Sequence, residues 1–140
     1  MSGSKFDRPA RKLHARDVLR LQFEGDELKF CEDGISVSVP LLWIQGHVVS
    51  YNEDKSEVIL EDEGFMIKIT NCQNNPCGSS WISEGQYVMV VGEINKVAGD
   101  KVVQTVKMSD LSASEIHQAT WSYEVAEFKM LMKENPSIFE

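Results

Sequence analysis

Cys72 and Cys77 are spaced as half of a metal site could be, and Glu61-Asp62-Glu63 offers three carboxylates in a row. Structural zinc wants four close ligands. The chain has no second nearby cysteine pair, and its histidines, His14, His47 and His117, are scattered. Consecutive residues at a strand end point to alternate sides. The acidic run therefore reads as a solvated turn, not as a paired acid and base. His47 and His117 have no serine or cysteine at a spacing that would make a nucleophile and its base. No glycine-rich phosphate loop is present. The residue types point away from catalysis and away from a bound cofactor.

The chemistry that remains is association. From Ser112 to Lys133 the residues follow a helical period. Ile116, Ala119, Tyr123, Ala126 and Met130 fall on one stripe, and Trp121, Val125, Phe128 and Met132 on another, about 170° away on the helical wheel. Polar residues separate the two. A lone small domain needs one apolar face per helix. The alanines of the first stripe allow close approach to a sheet, so that stripe is expected to cover the chain's own core. The second has the bulk of interface anchors, so Trp121, Val125, Phe128 and Met132 are expected to face a partner. Ser112-x-x-Glu115 is a capping box that would start this helix, and Asn135-Pro136 would stop it.

The elements that must position this helix are mainly strands. His14–Leu21 predicts a short helix, broken at Gly25-Asp26. Short strands are expected at Leu28–Cys31 and Ile35–Val39, the latter ended by Pro40. Longer ones follow at Leu41–Tyr51, Glu57–Glu61, Phe65–Thr70, Gln86–Lys96 and Val102–Met108. On the third of these, Phe65, Ile67 and Ile69 should share a face, and on the last, Val102, Val106 and Met108. Asn71–Gly85 is a loop dense in Asn, Pro, Gly and Ser, anchored by Trp81-Ile82. Gly46 and Gly92 sit inside the two longest strands, where a barrel turns its corners. Five curved strands with an excursion between the third and fourth predict a mainly β fold: a five-stranded OB-fold barrel with a short N-terminal helix and a long C-terminal one. Residues 1–11 read as a disordered arm, 12–134 as the domain with its last helix at about 113–133, and 135–140 as a tail.

Composition narrows the partners. The chain has 140 residues, a formal net charge of −8 and 42% hydrophobic residues, enough for a core without disulfides. Three cysteines, an odd number, fit a reducing compartment. No apolar run is long enough to span a membrane, and the polar N-terminus lacks a signal peptide's apolar stretch. Nuclear or cytoplasmic residence is the expectation. The negative balance argues against a general nucleic-acid binder. Arg8, Arg11, Lys12, Arg16 and Arg20 form the one basic stretch, read as a solvated arm. Phe65 and Lys68 could stack and neutralise a single strand, but Glu57, Glu61, Asp62 and Glu63 flank them and would repel phosphates.

Several strings resemble the RecQ-mediated genome instability protein 2 family: Leu42-Trp43-Ile44-Gln45-Gly46-His47-Val48-Val49, Gly85-Gln86-Tyr87-Val88-Met89-Val90-Val91-Gly92, Gln104-Thr105-Val106-Lys107-Met108-Ser109-Asp110-Leu111-Ser112, and the Trp121 region. The layout is also similar, more distantly, to the middle subunit of replication protein A. The family resemblance implies a non-catalytic OB-fold scaffold that pairs with an OB domain of RecQ-mediated genome instability protein 1. It implies a nuclear assembly with Bloom helicase and topoisomerase III alpha, acting in double Holliday junction dissolution, and a shared site for a Fanconi anaemia M protein peptide. Lys12, Trp43, Lys107 and Trp121 match positions of that assembly surface. Lys107 alternates with Val106 and Met108, so it should point outward. The N-terminal arm and the loop Asn71–Ser83 depart from the family pattern.

Three functions compete. The second apolar stripe favours an obligate heteromeric subunit. The fold alone would suit a single-stranded nucleic-acid binder. The same helix could also pair two copies of the chain.

Overall fold

The computed structural model describes residues 10–76 and 78–135. Its core is a sheet closed on itself. Strands β5 (Leu42–Asn52), β6 (Glu57–Asp62) and β7 (Phe65–Thr70) form an antiparallel meander. β8 (Tyr87–Val97) and β9 (Asp100–Asp110) form a long hairpin. β9 then lies parallel to β7, and β8 pairs back on β5 from Leu42↔Gly92 to His47↔Tyr87, which closes the barrel. This five-stranded order, with its one parallel seam and an excursion between third and fourth strands, is the OB-fold.

The two interior glycines make closure possible. A Cβ on Gly46 would collide with the Glu61 carbonyl, and one on Gly92 with the Gln104 carbonyl. Both lie next to bends: the β8–β9 register shifts between Val91 and Gly92, and the β5–β6 register shifts between Val48 and Ser50. Leu42, Ile44, Val48, Val58, Leu60, Ile69, Val88, Val90, Val103 and Met108 fill the interior.

Before the barrel, β1 (Arg11–Lys12) runs parallel to the start of β5, followed by α1 (Ala15–Leu19). A second sheet of β2 (Gln22–Glu24), β3 (Glu27–Glu32) and β4 (Ile35–Ser38) packs beside it. β2 has no strong strand signal in sequence; it exists through its pairing with β3. Arg11 is not part of a solvated arm. It is buried, and its Nε donates to the Ser38 carbonyl at 3.2 Å. Arg8 and the rest of the arm to residue 9, Cys77 and residues 136–140 lie outside the described residues.

Two further expectations change. Phe65 shares the strand face of Ile67 and Ile69, though it is exposed at the strand's start, whereas Val102 and Met108 fall on opposite faces because Val106 is an extra residue opposite Val91 and Gly92. The expected capping box does not form. The last helix, α2 (Glu115–Glu134), starts two residues later with Ser114 as N-cap. Ser112 instead turns its hydroxyl to β8, where Oγ accepts from the Tyr87 N–H at 2.9 Å. A cap for the helix is given up so that the chain leaving β9 stays tied to the barrel.

Candidate protein-docking surface

α2 crosses the barrel with the opposite face inward from the one its sequence suggests. Trp121, Val125 and Met132 are buried at 3%, 2% and 2% exposure, and Phe128 packs half-buried against the core. Ile116, Tyr123 and Met130 stand out at 69%, 77% and 54%. Ala119 and Ala126 are exposed with them. The expectation that Trp121, Val125, Phe128 and Met132 face a partner is therefore corrected. Trp121 rests on His14 at the start of α1, and Phe128 and Met132 reach the core. The alanine stripe is too shallow to make those contacts, so the Trp–Val–Phe–Met stripe goes in.

Polar flanks fix the same orientation. Lys129 Nζ donates to Asp17 Oδ1 at 2.8 Å, and Lys133 Nζ reaches Asp33 at 2.8 Å and Glu32 at 3.3 Å. The exposed Lys133 amine is held above its usual pKa by hydrogen bonds to Asp33 and Glu32. Trp121 meets the edge of His14 at 5.7 Å between ring centroids. His14 Nδ1 lies 2.8 Å from Asp62 Oδ2, which also accepts the Ala15 N–H at 3.0 Å. A buried carboxylate thus holds the start of α1 beneath the helix.

Lys12, Trp43 and Lys107 come together. β1, β5, β8 and β9 register Lys12↔Trp43↔Val91↔Lys107 in one row across four strands. All four side chains are on the outer side, Lys107 exposed and the other three half-buried. Lys107 points outward as its alternation predicts. Lys12 Nζ lies 5.0 Å from the Trp43 ring centroid and 2.8 Å from Glu124 Oε1 of α2. The Trp43 indole N–H donates to Gln45 Oε1 at 3.0 Å. Gln45 Nε2 in turn donates to the Tyr87 hydroxyl at 3.2 Å and the His117 carbonyl at 3.3 Å. Burial pushes the Tyr87 phenol up to about 12. A chain of bonds therefore runs from the row to the first turn of α2.

Two members of this surface have weak sequence signals. Glu124 looks like an ordinary polar flank, and only its meeting with Lys12 gives it a role. Val91 could have been found from the alternation Tyr87, Met89, Val91, which shares the Trp43 face.

The other candidates do other work. His14, Asp62 and Glu63 place possible ligand atoms within 4.8 Å of one another. The first two are spent on each other and on α1, and Glu63 accepts from Ser122 at 2.8 Å. Cys72 is buried, with its thiol raised by that burial, and its sulfur faces the Ile69 carbonyl at 3.9 Å. On the β6–β7 face, Lys68 lies 3.9 Å from Glu57. Phe65 and Met66 are exposed there beside Glu63.

By fold the chain resembles one in the Schizosaccharomyces pombe Stn1–Ten1 complex, with a TM-score of 0.73 at 14% identity over 91% of this chain and 96% of that one. It also resembles one in a replication protein A heterotrimer bound to single-stranded DNA, with a TM-score of 0.69 at 16% identity over 88% and 97%. By sequence it is 30% identical over 87 residues to RecQ-mediated genome instability protein 2 of Gallus gallus, 61% of this chain and 64% of that protein. It is 32% identical over 84 residues to the Bos taurus protein, 60% and 52% respectively. The matches thus span less than two thirds of these relatives' length. The family model for RecQ-mediated genome instability protein 2 matches residues 14–129, which takes in the whole barrel and most of α2, and the chain belongs to that family.

Proposed function

We propose that this chain is a non-catalytic nuclear scaffold subunit that pairs with an OB domain of RecQ-mediated genome instability protein 1. In this reading it stabilises the assembly of Bloom helicase and topoisomerase III alpha that dissolves double Holliday junctions. The single observation that supports pairing is the outward stripe of α2. Ile116, Ala119, Tyr123, Ala126 and Met130 form a continuous apolar face on a helix whose other face is already used. Contiguous apolar surface of that kind marks protein association. The small alanines let a second helix approach, and Ile116, Tyr123 and Met130 supply the anchors.

The row Lys12–Trp43–Val91–Lys107 lies on the barrel's outer side and is tied to α2 through Glu124. It supplies the second part of the surface, including the site for a Fanconi anaemia M protein peptide. Trp121, Val125 and Met132 contribute from below, by holding the helix in place. Direct binding of DNA by the free chain is weak in this reading, because carboxylates border the β6–β7 face.

Co-purification with the partner's OB domain tests the proposal. Tyr123→Asp with Met130→Asp should fold normally and lose the partner. Retained pairing by this variant would overturn it, as would a stable symmetric dimer of the chain alone. Tight, salt-sensitive binding of a labelled oligonucleotide by the free chain would favour a single-strand binder instead.

A further inference from the structure

Two structures compete for the Ser112 hydroxyl, and the fold uses one of them. Ser112 is exposed and lies in residues 111–114, the connection between β9 and α2. Its Oγ accepts from the Tyr87 N–H at 2.9 Å and donates to the Tyr87 carbonyl at 3.4 Å. The Leu111 N–H donates to the same carbonyl at 2.8 Å. Asp110 Oδ1 accepts the Ser112 N–H at 2.9 Å, which sets a carboxylate beside the serine. The competing structure is the start of α2. The first N–H groups of a helix have no partner within it, and Ser114, the N-cap of α2, makes no side-chain cap bond. Ser112 and Glu115 keep the spacing of a capping box that the hydroxyl's bonds to Tyr87 leave unformed.

The surroundings of Ser112 suit a kinase that selects by acidic neighbours. Asp110 stands two residues before it and Glu115 three residues after it. Charge patterns of this kind let a cationic substrate groove choose its serine. Accessibility singles out the same residue. Ser109 is half-buried within β9, and Ser114 is half-buried at the helix start. Ser112 is exposed and belongs to neither element, so a kinase reaches it without opening the sheet or the helix.

We propose that Ser112 is a phosphorylation site for an acid-directed serine kinase, and that the phosphate moves the residue from Tyr87 to the N-terminus of α2. The γ-phosphoryl group of a nucleoside triphosphate passes to Oγ. A bond forms between Oγ and phosphorus, the β–γ phosphoanhydride bond breaks, the nucleoside diphosphate leaves, and the hydroxyl proton is released. The product has lost the proton that Oγ gave to the Tyr87 carbonyl. It carries nearly two negative charges next to the Asp110 carboxylate, which repels them. The α2 N-terminus offers the opposite field, with unpaired N–H groups and the positive end of the helix dipole. With Ser112 as N-cap, the N–H groups of Ser114 and Glu115 become the donors to its side chain. The same residue then ties the connection to β8 when unmodified and caps α2 when phosphorylated. The site is separate from the outward stripe of α2, so it stands whether or not that stripe pairs as proposed.

Treatment of the full chain with casein kinase 2 and ATP, followed by peptide mass spectrometry, tests the site. One phosphate on Ser112 is expected and none on a Ser112→Ala variant, and Glu115→Gln should slow incorporation about tenfold. Amide exchange on the free chain tests the move. In the phosphorylated chain the Tyr87 N–H should exchange roughly two- to tenfold faster, and those of Ser114 and Glu115 about two- to fivefold more slowly. Ser112→Ala should reproduce the first change and not the second, which separates loss of the hydroxyl from gain of the phosphate. No incorporation would overturn the proposal, as would phosphate placed on Ser109 or Ser114 instead. Unchanged exchange at Tyr87 in the phosphorylated chain, or slowing at Ser114 and Glu115 that Ser112→Ala matches, would overturn it equally.

Discussion

Lys12 and Trp43 sit side by side in parallel register, with the lysine ammonium 5.0 Å from the indole centroid and 2.8 Å from Glu124 of α2. One cation therefore joins a barrel strand, an aromatic ring and the last helix. Lys12 and Glu124 are about a third exposed, at 32% and 31%, so solvent screens their attraction. A double-mutant cycle of Lys12→Ala and Glu124→Ala in the free chain should give a coupling under about 1 kcal/mol in chemical denaturation. The same single substitutions should weaken partner binding more than they weaken the fold. Equal losses in both measurements would make the row a structural feature only.

Trp121 now belongs to stability. Trp121→Ala removes a large buried ring that rests against His14 and should cost about 3–5 kcal/mol of unfolding free energy. Trp121→Phe should cost distinctly less. It keeps most of the packing, and the indole N–H has no hydrogen-bond partner among the described residues. Melting curves of the two variants check this. An alanine variant as stable as the parent, yet unable to bind its partner, would return Trp121 to the interface.

What could be read from the chain and what could not divide along a physical line. The barrel strands were legible because β-branched runs, turns and two interior glycines are local signals. That α2 has two apolar faces was legible for the same reason. Which face goes inward was not, because it depends on the depth of the surface around His14 that the helix covers and on where Asp17, Glu32 and Asp33 wait for Lys129 and Lys133. Those acids are about a hundred residues away in sequence. The alignment of Lys12, Trp43 and Lys107 in one row is likewise a matter of register, which no single segment contains. Ser112 shows the same limit on a smaller scale. Its capping-box spacing is genuine, but the Tyr87 N–H competes for the hydroxyl and takes it.

Gly46 offers a test of the barrel itself. Its α-carbon faces the Glu61 carbonyl so closely that a methyl group would collide with backbone. Backbone cannot swing aside as a side-chain tip can, so Gly46→Ala should force the β5–β6 pair apart. A loss of a few kcal/mol in denaturant unfolding is expected, on the scale of overpacking a core. Gly92→Ala, which meets the Gln104 carbonyl and the Val103 side chain, should behave alike. Gly64→Ala is the control: it sits in a turn with open space around it but at φ +84°. It should lose stability through backbone strain alone, without changing strand pairing in amide-exchange measurements.

Tyr87 links stability to alkaline pH. Its phenol is pushed up to about 12 from an ordinary 10 by burial, and its hydroxyl accepts from Gln45 Nε2. A neutral phenol is the form that the fold prefers. Below pH 10 that preference is fully satisfied, because Tyr87 is protonated in both folded and unfolded chains. Between about 10 and 12 the unfolded chain ionises first, and stability falls as pH rises through the folded value. The loss attributable to Tyr87 is at most about 2–3 kcal/mol. Tyr87→Phe should be slightly less stable at neutral pH, through the lost Gln45 bond, and should show a shallower decline between pH 10 and 12. Subtracting the two denaturation series isolates this one group from every other ionisable group in the chain. Parallel curves for parent and variant would mean that the Tyr87 hydroxyl is accessible enough to ionise without unfolding, and that the Gln45 bridge to α2 is open in solution.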